Sequence, residues 1–246
     1  GERSAAAMHW IFAPLTLMLL PELMRPVTGG RPWLAAAILL STTTAVYLAG
    51  WAYVEWMMMF AITAAAVCLT HTYTAETAES AEKEKGFSAN LAHSAVSFRW
   101  LALAGVFAGL AFGAKYSAAG AIFGLLVAVI TAKLPTPNYK LQIANGVLFA
   151  VAALVFASPW LIKNFVLTGN PAYPFFLAGK FWDAARAAWY GRGGTGLPLA
   201  RLLIAPWEMT VSGAEGLNGF SATIGPLWLM LLPLLVWRWR EWSAPD

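Results

Sequence analysis

Residues 100–131 read WLALAGVFAGLAFGAKYSAAGAIFGLLVAVIT, and Lys115 is their one charged side chain. A single helix over this stretch, at about 1.5 Å per residue, would be about 48 Å long, whereas the hydrocarbon core of a bilayer is about 30 Å thick. The stretch therefore predicts either one strongly tilted membrane helix or a hairpin of two short ones. A hairpin would turn at GAKY, residues 113–116.

The composition of the whole chain extends this interpretation. Hydrophobic residues make up 59% of the 246 and charged residues 11%, whereas soluble domains have about 25% charged residues. The 16 Lys and Arg are scattered singly instead of forming a basic stripe, which excludes nucleic acid as the expected partner. We expect an all-α polytopic membrane helix bundle of about seven spans, near residues 5–20, 33–50, 54–73, 99–113, 117–132, 141–158 and 220–237.

Loop charges decide between the tilted helix and the hairpin. With a hairpin, nine basic residues fall on one side of the membrane: Arg25, Arg31, Lys83, Lys85, Arg99, Lys133, Lys140, Arg238 and Arg240. The other side keeps Arg3 and Lys115, because segment 159–219 is too long to count toward the positive-inside rule. The sequence favours the hairpin, with the nine residues in the cytoplasm.

Three regions follow from this topology. Residues 1–158 form transmembrane helices with a solvated cytoplasmic loop near 74–98, and residues 220–246 form the last span and a cytoplasmic tail. Residues 159–219 form an outer, periplasmic-side segment rich in Pro, Gly and aromatic residues. Its Phe181, Trp182, Ala185, Ala188 and Trp189 would share one face of a helix lying in the membrane interface, and 198–208 would form a second.

Three stretches carry a family resemblance: LAGWAYVE at 48–55, GLAFGAKY at 109–116, and SPWLIKN with TGNPAYP at 158–164 and 168–174. In this order they resemble bacterial lipid-carrier-dependent glycosyltransferases of the C-type membrane fold, the superfamily of protein O-mannosyltransferases and aminoarabinose transferases. Family members commonly have Asp where this chain has Glu55. Their acidic residue regarded as the catalytic base lies in a first outer loop, so the resemblance implies that this group precedes Gly1.

Moving a sugar from a polyprenyl phosphate requires a carboxylate for the acceptor and cationic or amide donors for the departing phosphate. Within this sequence the candidate catalytic residue is Glu55, the only acidic residue between Glu22 and Glu76, because a carboxylate at a membrane boundary is costly unless it serves a site or finds a partner. The resemblance assigns substrate binding to Tyr53, Lys115, Tyr116, Lys163, Asn164, Asn170 and Tyr173. Interface anchoring is the alternative for the charged residues. A rigid turn is the alternative for Asn170 and Tyr173, which each precede a proline.

The resemblance thus implies an inverting membrane glycosyltransferase at the outer face of the bacterial cytoplasmic membrane. The donor is a polyprenyl-phosphate sugar, and the acceptor is a lipid, glycan or protein. The partners are membrane lipid and lipid-linked sugar. No metal-binding residues are assigned, since His9, His71 and His93 do not have metal-ligand spacing. No cofactor is assigned, and whether a divalent metal assists is left open. The alternatives are a transporter or channel segment and an inactive structural subunit.

Overall fold

The structure, a computed structural model, describes residues 2–28, 31–50, 54–82, 87–132, 139–174, 180–186, 207 and 210. Within these ranges the chain is helical and no strand occurs, which confirms the all-α prediction. The helices are α1 (Glu2–Trp10), α2 (Phe12–Thr28), α3 (Trp33–Leu40), α4 (Thr43–Ala49), α5 (Glu55–Glu82), α6 (Phe87–Ala114), α7 (Ala119–Thr131) and α8 (Tyr139–Thr168).

Four helical segments are long and apolar enough to cross a membrane: Ser4–Arg25, Glu55–Thr74, Ser97–Ala114 and Tyr139–Thr168. A shorter apolar helical stretch covers Tyr116–Thr131. The length and hydropathy of these segments are those of a membrane protein. The predicted span at 220–237 lies outside the described residues.

The predicted hairpin is present. Helix α6 ends at Ala114, Lys115 is extended (φ −159°, ψ 132°), and a 3-10 turn over Tyr116–Ala118 leads into α7. Helix α7 runs back along α6, because Ile122 packs near Ala111 while Val129 shares a buried cluster with Leu101. A single tilted helix over residues 100–131 is thereby excluded.

Helices α5 and α6 form an antiparallel pair, and α8 lies parallel to α6. Phe60 meets Phe107 edge-on, with ring centroids 6.0 Å apart, and His71 stacks on Trp100 further along. The α6–α8 contact is close because α6 presents glycine there. A Cβ on Gly105 would stand 2.5 Å from the backbone oxygen of Phe149, so the two backbones approach without an intervening side chain.

Four helix ends meet at one end of the bundle, called here the Glu55 end: α5 and α7 begin there, and α6 and α8 end there. Trp56, 2% exposed, braces this end by donating its indole N–H to the carbonyl of Ala45 at 3.1 Å. Every predicted site residue that the structure describes belongs to these helix ends or to the turn that follows α8.

Two predicted boundaries differ from the structure. The span expected at 33–50 is divided into α3 and α4, each too short to cross a bilayer alone. The break lies at Thr42, whose backbone is extended (φ −81°, ψ 112°) and caps the start of α4. The loop expected near 74–98 is largely helical, since α5 continues to Glu82 and α6 begins at Phe87. Ala and Glu, which are frequent in residues 74–82, have high helix propensity and favour the continuation of α5.

A third difference concerns α8, which we expected to end as a span near 158 but which continues to Thr168. Pro159 lies inside the helix and cannot donate to the carbonyl four residues earlier. The Ser158 hydroxyl donates to that carbonyl, of Val155, at 2.7 Å. A serine side chain thus replaces the lost backbone bond, and the helix passes the proline.

Part of the predicted outer segment is described. Phe181 has φ 69° and precedes a helical turn at residues 184–186, whose start Asp183 caps by accepting from the backbone N–H of Arg186 at 2.8 Å. Phe181 and Trp182 therefore lie before the helix instead of on its face with Ala185. Ala188, Trp189 and the second expected interfacial helix lie outside the described residues, apart from residue 207.

Candidate functional site

Glu55 and Lys115 form an ion pair at the Glu55 end. Nζ of Lys115 lies 2.5 Å from Oε1 of Glu55, and the two residues are 60 positions apart in the chain. Glu55 is in the first turn of α5, whose N-terminus carries a partial positive charge that stabilises a carboxylate. Lys115 reaches it because this lysine is the extended link between α6 and α7.

The two members of the pair differ in exposure. The Lys115 side chain is 45% exposed and the Glu55 side chain 21%. The second carboxylate oxygen of Glu55, Oε2, is buried and has no hydrogen-bond partner among the described residues. A buried carboxylate oxygen normally accepts a hydrogen bond. The site therefore offers an acceptor on the carboxylate and a half-exposed ammonium beside it.

Tyr116 joins this pair to α8. Its hydroxyl accepts a hydrogen bond from Nδ2 of Asn164 at 2.7 Å and donates one to the carbonyl of Pro171 at 3.3 Å. Its ring meets Phe112 edge-on, with centroids 5.2 Å apart. Asn164 is 8% exposed, so this contact is shielded from water. The Tyr116 hydroxyl thus joins the link between α6 and α7 to the end of α8 and to the turn that follows it.

The turn after α8 is built by Thr168, Gly169 and Asn170. Gly169 has φ 79°, a left-handed conformation that glycine adopts without strain. Asn170 is fully buried, and its Oδ1 accepts from the N–H of Ala172 at 2.9 Å. The Thr168 hydroxyl bonds the carbonyl of Asn164 at 2.8 Å. The described contacts of Asn170 hold the backbone of the turn.

Two further predicted residues lie elsewhere, and one is not described. Tyr173 packs edge-on against Trp182, with centroids 5.9 Å apart. Lys163 is exposed and its Nζ lies over the Trp160 ring, 4.2 Å from the centroid, so its described partner is on its own helix. Tyr53 is outside the described residues. The structure brings together Glu55, Lys115, Tyr116 and Asn164.

Sequence reasoning missed three supporting residues. A tryptophan directly after a carboxylate at a span end predicts an exposed interfacial anchor, whereas Trp56 is buried and donates to the carbonyl of Ala45. Thr168 lies inside the quoted TGNPAYP motif without an assigned role. Ser117, which is exposed, places its hydroxyl 3.5 Å from the sulfur of Met58 and so links the turn to α5. Such contacts between distant segments have no sequence pattern.

Comparison of the chain with protein-family models, with curated proteins and with solved structures finds no match. The chemistry of the site therefore has to be argued from its geometry. Among the described residues no three His, Cys, Asp or Glu side chains converge on a point. The functional groups present are one carboxylate, one ammonium, one phenol and one buried amide, a set suited to binding a polar or anionic ligand and accepting a proton.

Proposed function

We propose that this chain is a membrane glycosyltransferase. It moves a sugar from a polyprenyl-phosphate donor to a lipid, glycan or protein acceptor at the outer face of the bacterial cytoplasmic membrane. One observation carries the proposal: the 2.5 Å pair of Glu55 and Lys115. The pair joins two of the three stretches that resemble the family, and Tyr116 and Asn164 join the third to it.

Glu55 is the proton acceptor of the proposed reaction. The acceptor hydroxyl attacks the anomeric carbon of the donor sugar and its proton passes to the Glu55 carboxylate. The carbon–oxygen bond to the phosphate breaks, and its electron pair leaves with the polyprenyl phosphate. Attack opposite the leaving group inverts the anomeric centre, in line with the resemblance.

Lys115 neutralises the departing phosphate. Negative charge grows on the phosphate as the bond breaks, and a nearby ammonium stabilises that charge. A half-exposed lysine can leave the carboxylate for the phosphate without burying a new charge. Lys163, on the exposed side of α8, supplies a second cation for the headgroup, with Asn170 and Tyr173 shaping the adjacent turn.

The proposed topology has seven spans and the Glu55 end outward. Its support is the asymmetry of nine basic residues against two. Single cysteines at Thr195 and Ala78, tested with a membrane-impermeant maleimide on intact cells, check the orientation. Labelling at position 195 alone is expected. Labelling at position 78 alone would place the Glu55 end in the cytoplasm and remove the proposed access to an outward-facing donor.

Transfer itself is tested in membranes from cells that express the gene encoding this chain. Radiolabelled polyprenyl-phosphate sugars of several kinds are added, and label is followed into lipid, glycan and protein fractions. Transfer above that of membranes lacking the gene is expected with at least one donor. Absence of transfer with every donor and acceptor fraction would reject the enzyme and leave the transporter or structural-subunit alternatives.

A further inference from the structure

Lys115 owes its place to a backbone that is held at both ends. Its N–H donates to the carbonyl of Ala111 at 3.1 Å, and its own carbonyl accepts from the N–H of Ala118 at 3.0 Å. Between these bonds the residue is extended and 45% exposed at its side chain. The ammonium ends a flexible four-carbon stem, so a rotation of the link changes how much of the time Nζ lies against Glu55.

The residue that stops such a rotation is the next one, Tyr116. A phenol hydroxyl has one proton, so a hydroxyl that donates to the carbonyl of Pro171 must meet Asn164 as an acceptor. The amide group of Asn164 supplies the required N–H at 2.7 Å. The ring is fixed by two polar contacts and by Phe112.

Asn164 is itself held firmly. Asn164 is 8% exposed. Its backbone carbonyl accepts a hydrogen bond from the hydroxyl of Thr168, one turn further along α8. An amide donor buried to this degree cannot exchange its partner for bulk water. The position of Asn164 on α8 therefore sets the position of the Tyr116 ring on the neighbouring link.

We infer that Asn164 is a positioning residue that acts through the Tyr116 hydroxyl to hold Lys115 against Glu55. The inference rests on the proposed function in that it takes this pair as the reacting site. It also changes the role of Asn164, because an amide that is buried and engaged with Tyr116 orients the lysine instead of contacting the sugar.

The test measures the reactivity of Lys115 without any transfer assay. Membranes are treated briefly with an amine-acylating reagent, and mass spectrometry gives the extent of acylation of Lys115 relative to the exposed Lys163 in the same molecule. Glu55→Gln gives the highest Lys115 acylation expected, because in this variant the lysine has lost its carboxylate partner. The test variants are Tyr116→Phe, Asn164→Leu and the double variant. Tyr73→Phe is the matched control, because it removes a hydroxyl bonded to the carbonyl of Ala128 at the opposite end of α7.

A side-chain hydrogen bond of ordinary strength shifts a local equilibrium by about twofold to tenfold. The expected result is a rise of that size in relative Lys115 acylation for each single variant, no larger rise in the double variant, and no change in Tyr73→Phe. Additive rises would mean that the two residues act separately and would overturn the inference. The inference would also be overturned if Tyr116→Phe, which loses one oxygen atom, kept the wild-type ratio of Lys115 to Lys163 acylation. The acylation measurement does not depend on sugar transfer, so the positioning role of Asn164 and the proposed glycosyltransferase activity can be rejected independently.

Discussion

The Nζ of Lys115 lies 2.5 Å from Oε1 of Glu55, at the open end of the α5–α6 helix pair. Both side chains are partly exposed, and an ion pair in such a place adds only about 0–1 kcal/mol to stability. Removing either charge should therefore leave the fold intact. Substitutions at these two positions are therefore expected to change sugar transfer more than the stability of the fold.

Reversing the charges of Glu55 and Lys115 separates a structural role of the ion pair from a role in sugar transfer. Glu55→Lys combined with Lys115→Glu restores opposite charges at the same two positions but places the lysine at the N-terminus of α5. The midpoint of thermal unfolding in detergent is expected to stay close to wild type, while sugar transfer is lost. Transfer at the wild-type rate in the reversed variant would show that the pair is only a structural contact.

Glycine at position 105 is expected to matter for stability. In Gly105→Ala the new methyl group would stand 2.5 Å from the carbonyl oxygen of Phe149, so α6 and α8 must separate. Overpacking of this kind costs about 1–3 kcal/mol. Gly120→Ala on α7 is the matched control, because nothing among the described residues lies within 4 Å of the added atom.

The unfolding midpoint in detergent should fall for Gly105→Ala and stay level or rise slightly for Gly120→Ala, since alanine favours the helix over glycine. Equal midpoints for the two variants would contradict the described α6–α8 contact.

Trp56 is expected to brace the start of α5. Trp56→Phe keeps an aromatic ring but leaves the carbonyl of Ala45 without its 3.1 Å donor in a buried site. A loss of about 1–2 kcal/mol is expected, measured as a lower unfolding midpoint. Trp33→Phe, at a position 63% exposed, should leave the midpoint unchanged. The reverse ranking would mean that α4 does not support the site.

The sequence predicted the helical class and the hairpin at Lys115, because apolar length and loop charge are local quantities that a bilayer constrains strongly. It did not predict the break at Thr42, where the backbone is extended, or the passage of α8 through Pro159, where Ser158 supplies the missing bond. Both outcomes depend on a single residue, and hydropathy averaged over a long window does not detect such a local effect.

The candidate site was predictable as a set of residues but not as an arrangement. Motif resemblance placed Glu55, Lys115 and Asn164 in one function, and helix topology placed them at one end of the bundle. The contact of Asn164 with Tyr116, 48 positions apart, depends on how α8 is rotated about its axis. That rotation is set by packing at Gly105 and Phe149, which no spacing rule reveals.

The rate of sugar transfer in membranes carrying Glu55→Gln tests the central claim most directly. Gln keeps the size of the side chain but cannot accept the proton, so a loss of about 10²–10⁴-fold in kcat is expected, the usual contribution of a general base. Lys140→Ala, an exposed residue at the other end of α8, is the control and should transfer at the wild-type rate. A Glu55→Gln protein that transfers sugar as fast as wild type would contradict the assignment of the reacting site.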